Sequence, residues 1–149
     1  MRIALIGLAL AGAVAVSPGH SAQPRAAASC HLSLPASPDS ETFAGAGHSG
    51  AAASAQQTGA LFASAASHLC ASGVVRPANL ARYRRLLVRN AEGANEPNIY
   101  DDAEEQPGAL IIEFAFAGGP PPTQEAVEAA LRCWRNPGAA GCSAEDVGP

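Results

Sequence analysis

The sequence contains no lysine; all nine of its basic residues are arginine. Alanine is enriched alongside arginine, so the exchange is read as a bias of composition and not as a device for recognising phosphate. With 13 acidic residues the chain carries a formal net charge of -4, and a mildly acidic chain is a poor partner for nucleic acid. Leucine, isoleucine, valine and phenylalanine are scarce beyond the N-terminal leader, which ordinarily weakens a core. Charged residues make up only 15% of the chain, however, and disorder of the charge-driven kind needs high charge as well as low hydrophobicity. Alanine takes the place of larger side chains, and a thin core is expected. No internal repeat is visible.

Motifs that would announce chemistry are also lacking. Gly45-Ala46-Gly47-His48-Ser49-Gly50 matches G-x-G-x-x-G literally. No strand precedes it, and Cys70 stands where a ribose-binding carboxylate would be. A dinucleotide loop needs both, so no cofactor is expected. His48-Ser49 lacks the G-x-S-x-G spacing and lies in a segment too loosely specified to hold a nucleophile beside its base. Cys30-His31 and His68-Leu69-Cys70 show neither C-x₂₋₄-C nor H-x₃₋₅-H, the spacings zinc sites favour. No metal site is expected from them, and His68 is read as a partly buried, hydrogen-bonded histidine bordering the core.

What is present begins with a leader. Arg2 is a short positive region, and Ile3 to Val16 is an uncharged apolar run shorter than the roughly 20 residues that span a bilayer. Small residues follow, with cleavage expected after Ala22 or Ala28. This is the pattern of a secretory signal, and it places the protein in the periplasm or outside the cell, with no transmembrane segment after cleavage. The remainder reads as a flexible Gly/Ser/Pro-rich arm over 29–50, a single domain over 51–142 and a small acidic tail over 143–149.

Four cysteines, Cys30, Cys70, Cys133 and Cys142, are an even number in a small exported chain and argue for two disulfides. The pairing favoured is Cys30–Cys70 with Cys133–Cys142, and Cys70–Cys133 is the rival link. In the chain-entropy picture the favoured loops contribute roughly 4 and roughly 2.7 kcal/mol.

The domain is organised around Gly108 to Gly119. Leu110, Ile112, Phe114 and Phe116 alternate with Ile111, Glu113 and Ala115, the period of a strand. Tyr83 to Arg89 reads as a second strand, and the 18-residue connection over 90–107 is long for a hairpin loop; it has room for a short strand at 98–100. Leu61, Phe62, Ala65 and Leu69 form a helical stripe ended by Gly73. Thr123 is a candidate N-cap for a second helix with a Val127, Ala130, Leu131, Trp134 stripe. The expected fold is therefore α+β: a small, mainly antiparallel sheet with strands near 83–89 and 109–117, packed by two helices near 55–71 and 123–135. Trp134 is expected to pack on Phe114 or Phe116.

The one stretch that looks specified beyond folding is the acidic connection. Asn95, Glu96, Asn98, Asp101, Asp102, Glu104 and Glu105 are all oxygen donors. A solvated loop, or one paired with Arg82, Arg84, Arg85 and Arg89, is the first reading. A protein contact is the second, with Tyr100 at its centre because aromatic residues concentrate at interfaces. Calcium is the third, although EF-hand spacing is absent. The functional expectation is a non-catalytic binding module of the cell envelope, whose partner is another protein or an envelope component. It uses Asn95, Glu96, Asn98, Tyr100, Asp101 and Asp102, with Arg82, Arg84 and Arg85 as a second surface. The alternatives are a small secreted hydrolase using His68 and a calcium-binding module using the 95–105 loop.

Overall fold

The structure, a computed structural model, describes residues 30–117 and 119–142. The leader at 1–28 and the tail at 143–149 lie outside them. In chain order the elements are β1 (Ala36–Pro38), α1 (Ser40–Gly45), α2 (Ala51–Ala71), α3 (Pro77–Leu80), β2 (Arg85–Asn90), β3 (Asn98–Tyr100), β4 (Ala109–Phe114) and α4 (Gln124–Arg135). Both disulfides form with the favoured pairing, Cys30–Cys70 and Cys133–Cys142, across Cα separations of 5.5 and 5.3 Å.

The helices start and stop where local chemistry directs. The Thr123 hydroxyl accepts from the Ala126 amide at 3.2 Å, and Glu125 lies in the first turn of α4, where a carboxylate complements the helix dipole. Val127, Ala130 and Leu131 are buried. At the end of α2, Gly73 adopts φ +78° and closes the helix with Gly73 N–H to Cys70 O and Val74 N–H to Leu69 O, each 2.9 Å. Only glycine enters that region without strain. Phe62, Ala65, Ala66 and Leu69 point into the core.

The sheet is not mainly antiparallel. Its order is β1-β2-β4-β3; β1, β2 and β4 run parallel, and only β3 opposes its neighbour. The connection after β2 does not turn back as a hairpin. It crosses beyond the carboxyl end of β4 and descends as β3 on the far side. From there it returns at the amino end, so that β4 enters between β2 and β3 in the direction of β2. The burial explains why this register is stable. Leu86, Val88, Leu110 and Ile112 face the helices, while Leu87, Ala109 and Ile111 are buried on the opposite face. Strands covered on both sides read as continuous apolar runs, which is the signature of parallel pairing.

Two further expectations change. The stretch expected as a flexible arm holds, within its described residues 30–50, the edge strand β1 and the helix α1. Leu86 N–H bonds to Pro35 O at 2.9 Å, Leu32 and Phe43 are buried, and prolines are tolerated because the strand is an edge. Trp134 packs on Tyr83, with ring centroids 6.0 Å apart, and not on Phe114 or Phe116. α4 lies against the sheet with its direction reversed relative to β4. Its C-terminal end therefore sits over the amino end of the sheet, where Tyr83 leads into β2. Phe114 and Phe116 lie at the other end, 5.4 Å from each other, and Phe116 is 5.8 Å from Phe43.

Candidate functional site

Parallel strands deliver their chain exits to one end, and in open sheets of this kind ligands bind in the crevice outside the carboxyl ends. Here that end is tied together by polar contacts. The Thr42 hydroxyl donates to Asp39 O at 3.0 Å and accepts from Asn90 N–H at 3.1 Å. Asn90 Oδ1 accepts from Ala117 N–H at 3.0 Å. α1, the end of β2 and the exit from β4 are thus fastened through one buried asparagine, 9% exposed. The chain beyond β2 folds onto the exit from β4 through Ala91 N–H to Phe114 O at 3.0 Å and Ala115 N–H to Ala94 O at 3.1 Å. Gly93, at φ +82°, makes that turn.

Two open cavities meet on this floor. One, of about 610 Å³, is lined by Thr42, Gly45, Ala46, Asn90, Glu92, Gly93, Ala115 and Ala117. The other, of about 600 Å³, runs past Asn95 and Phe114 to the Pro120-Pro121-Pro122 shelf and Thr123. They share Gly93 and Ala115 and form one trough along the carboxyl end of the sheet. Its walls are mostly glycine, alanine and proline, so a ligand can approach the backbone closely. The polar residues facing it are Thr42, Asn90, Glu92, Asn95 and Thr123. Asn90 Nδ2 makes no hydrogen bond among the described residues, which leaves a donor in the cavity. Among the described residues no basic side chain, histidine, serine or cysteine lines either part.

The residues singled out from the sequence are dispersed by β3. Asn95 lines the trough, and Glu96 lies exposed beside it at the same end. Asn98 and Tyr100 belong to β3, and Asp101 and Asp102 lie at the opposite, amino end. Tyr100 is not an exposed contact residue. It is 8% exposed, and its hydroxyl accepts from Arg89 Nη1 at 2.9 Å, while Arg89 Nε donates to Asp39 at 3.0 Å. Burial, with the nearby negative charge of Glu113 added, pushes the Tyr100 phenol up to about 12. Asp101 pairs with Arg82 at 3.1 Å, and Asp102 Oδ1 accepts the amides of Glu104 and Glu105 at 3.1 and 2.9 Å. Arg85 donates to Gln106 at 2.8 Å. This half of the acidic connection is ion-paired and folded on itself. Among the described residues no three His, Cys, Asp or Glu side chains come together as a metal cluster.

His68 is hydrogen-bonded as expected, but it is exposed and not partly buried. Its side chain is 64% exposed on the flank of α2, and Nδ1 lies 2.8 Å from Glu128 on α4. Hydrogen bonds from Gln124 and then from His68 hold the Glu128 carboxyl below its usual range. Ser64, one turn away, donates to Gln124 at 2.9 Å. These bonds join α2 to α4, and His68 lines none of the cavities described above.

Sequence reasoning missed Thr42, Asn90, Gly93 and Ala115. The available signal was the polar pair Arg89-Asn90 closing the apolar run Leu86 to Val88, followed within three residues by a glycine. Nothing in the spacing says that residues 42, 90 and 117 meet. Set against known protein families, curated proteins and solved structures, the chain matches none of them.

Proposed function

We propose that this small, disulfide-bonded α+β protein is a non-catalytic binding domain that works in an oxidising compartment outside the cytoplasm and takes its ligand in the carboxyl-end trough. The observation that carries the reading is the Asn90 side chain, buried and fastened through its oxygen, whose amide nitrogen has no partner among the described residues and stands between walls of glycine and alanine. A donor fixed in this way, with the Glu92 carboxylate beside it and no cationic side chain among the described lining residues, suits an extended group with carbonyl acceptors and an amino function, such as a short peptide. Among the described lining residues Glu92 has no second acid or base beside it, and the Thr42 hydroxyl is engaged with Asp39 O and Asn90 N–H, an arrangement that favours binding over turnover. Two disulfides support the compartment, and no helix among the described residues is long and apolar enough to cross a membrane.

The test is a titration of the oxidised, ¹⁵N-labelled chain with a panel of tetrapeptides bearing free or acetylated amino termini, followed by amide shifts. The expected outcome is a saturable shift confined to Gly93, Ala94, Ala115, Ala117 and the Asn90 side-chain amide, stronger for free amines and lost in Ala115→Arg. Shifts centred on His68 and Glu128, or cleavage of a peptide during the titration, would overturn it.

A further inference from the structure

We infer that the exported chain begins at Ser29 and that its first three residues, Ser29-Cys30-His31, form a copper(II) site. Leader removal by the A-x-A rule needs small residues at the first and third positions before the cut. A cut after Ala22 puts His20 at the third position, whereas Ala26-Ala27-Ala28 satisfies the rule at both. Processing after Ala28 leaves a free amino group two residues ahead of His31. In a chain of that pattern the terminal amine, the second and third peptide nitrogens and the imidazole Nδ1 of the third residue close fused chelate rings in one plane. A square of nitrogens is the geometry that selects copper(II) or nickel(II), and copper(II) binds the tighter of the two.

Ser29 lies outside the described residues and contributes only its amine; the other three nitrogens belong to Cys30 and His31. The disulfide to Cys70 pins Cys30 to the end of α2. Leu32 is buried, and its amide donates to Ser67 Oγ at 3.3 Å. His31, between these two anchored neighbours, is exposed. Among the described residues neither the Cys30 nor the His31 amide donates a hydrogen bond, so both can give up a proton to the metal without breaking a contact of the fold. The Cys30 sulfur is spent in the disulfide and offers no thiolate, which leaves nitrogen as the donor set. Because the chain is held on either side of His31, little order remains to be lost on binding.

Binding takes up one copper(II) ion and releases the two amide protons, so the charge of the ion is matched by two amide anions. The metal keeps its oxidation state throughout. Only one side chain is needed, and the site therefore stands beside the finding that, among the described residues, no three His, Cys, Asp or Glu side chains cluster. It shares with the trough only the reading that the chain is exported, since neither Cys30 nor His31 lines that cavity.

The experiment expresses the chain with its leader, collects it oxidised from outside the cytoplasm, and fixes its terminus by intact mass. The processed protein is then titrated with copper(II) supplied as its glycine complex. The expected mass begins at Ser29 with both disulfides closed. One equivalent of copper(II) should give the absorption and electron paramagnetic resonance of a planar four-nitrogen complex. His31→Ala should abolish that signature, while His48→Ala and His68→Ala leave it unchanged. The chain has no lysine, so mild acetylation of amines blocks the terminus alone and should abolish the signature as well. A chain that begins at any residue other than Ser29 would overturn the inference and leave the trough untouched. Failure to take copper(II) from glycine would overturn it too, as would a signature that persists in His31→Ala or after acetylation.

Discussion

Asp39 shows how much one side chain does in a thin core. It caps α1 by accepting from Glu41 N–H at 3.2 Å, and through Arg89 it reaches Tyr100 on the far strand. The phenol at the end of that chain is buried, and its ionisation is resisted. A group whose folded pKa is raised above its unfolded value contributes stability that is fully present below the unfolded pKa and lost as pH rises through the folded one. For Tyr100 the window runs from 10.0 to about 12. In Tyr83→Phe, which leaves Tyr100 as the only tyrosine, ultraviolet titration should show no ionisation at the ordinary tyrosine pKa while the native circular dichroism persists. Ionisation there in a folded chain would contradict the placement of Tyr100. Gly59 makes a comparable point for packing. It weakens α2 by propensity, yet α2 continues through it because β1 lies so close that an added Cβ would stand 2.6 Å from the Ala36 Cβ. Gly59→Ala should therefore destabilise by about 1–3 kcal/mol through overpacking, although helix propensity alone favours alanine by about 1 kcal/mol. Chemical denaturation reads the sign directly.

At the scale of elements, the two long helices are held by different means. α2 is fastened at its end by Cys70 to Cys30 and along its length by Phe62, Ala65 and Leu69. α4 lies beside it through Ser64 with Gln124 and His68 with Glu128. These pairs advance together along both helices, so α2 and α4 run in the same direction. That direction decides where Trp134 lands. A double-mutant cycle between Trp134→Ala and Tyr83→Ala should give a coupling of about 0.5–1.5 kcal/mol, whereas Trp134→Ala with Phe116→Ala should be additive within about 0.5 kcal/mol. The reverse pattern would place α4 the other way round.

For the whole molecule, the legible part of the sequence was what local rules govern. The stripe of α4, its Thr123 cap, the Gly73 stop, the alternation of Leu110 to Ile112 and the short strand at Asn98 could each be read from neighbours in the chain. So could the disulfide pairing, because Cys133 and Cys142 are close in sequence and leave only Cys30 for Cys70. Strand direction could not be read in that way. Leu86-Leu87-Val88 and Leu110-Ile111-Ile112 are apolar on both faces, which was the sign of parallel pairing, but taking alternate residues alone concealed it. With the direction misjudged, the trough was invisible, since it exists only where β1, β2 and β4 end together. Asn95 was reached only as one of the oxygen donors of the acidic connection, and it lines the trough because it follows the turn at Gly93. Asn90 and Thr42 were missed because their partners are 27 and 48 residues away from Asn90.

β2 and β4 run in parallel and so open their carboxyl ends into one trough, on which the proposed binding function depends. The most direct measurement is a set of interstrand nuclear Overhauser effects on the isotopically labelled, oxidised chain. A parallel pair gives contacts of Leu86 with Leu110, Val88 with Ile112 and Asn90 with Phe114. Contacts joining Leu86 to Glu113 and Asn90 to Ala109 would describe an antiparallel pair and would remove the trough along with the function proposed for it.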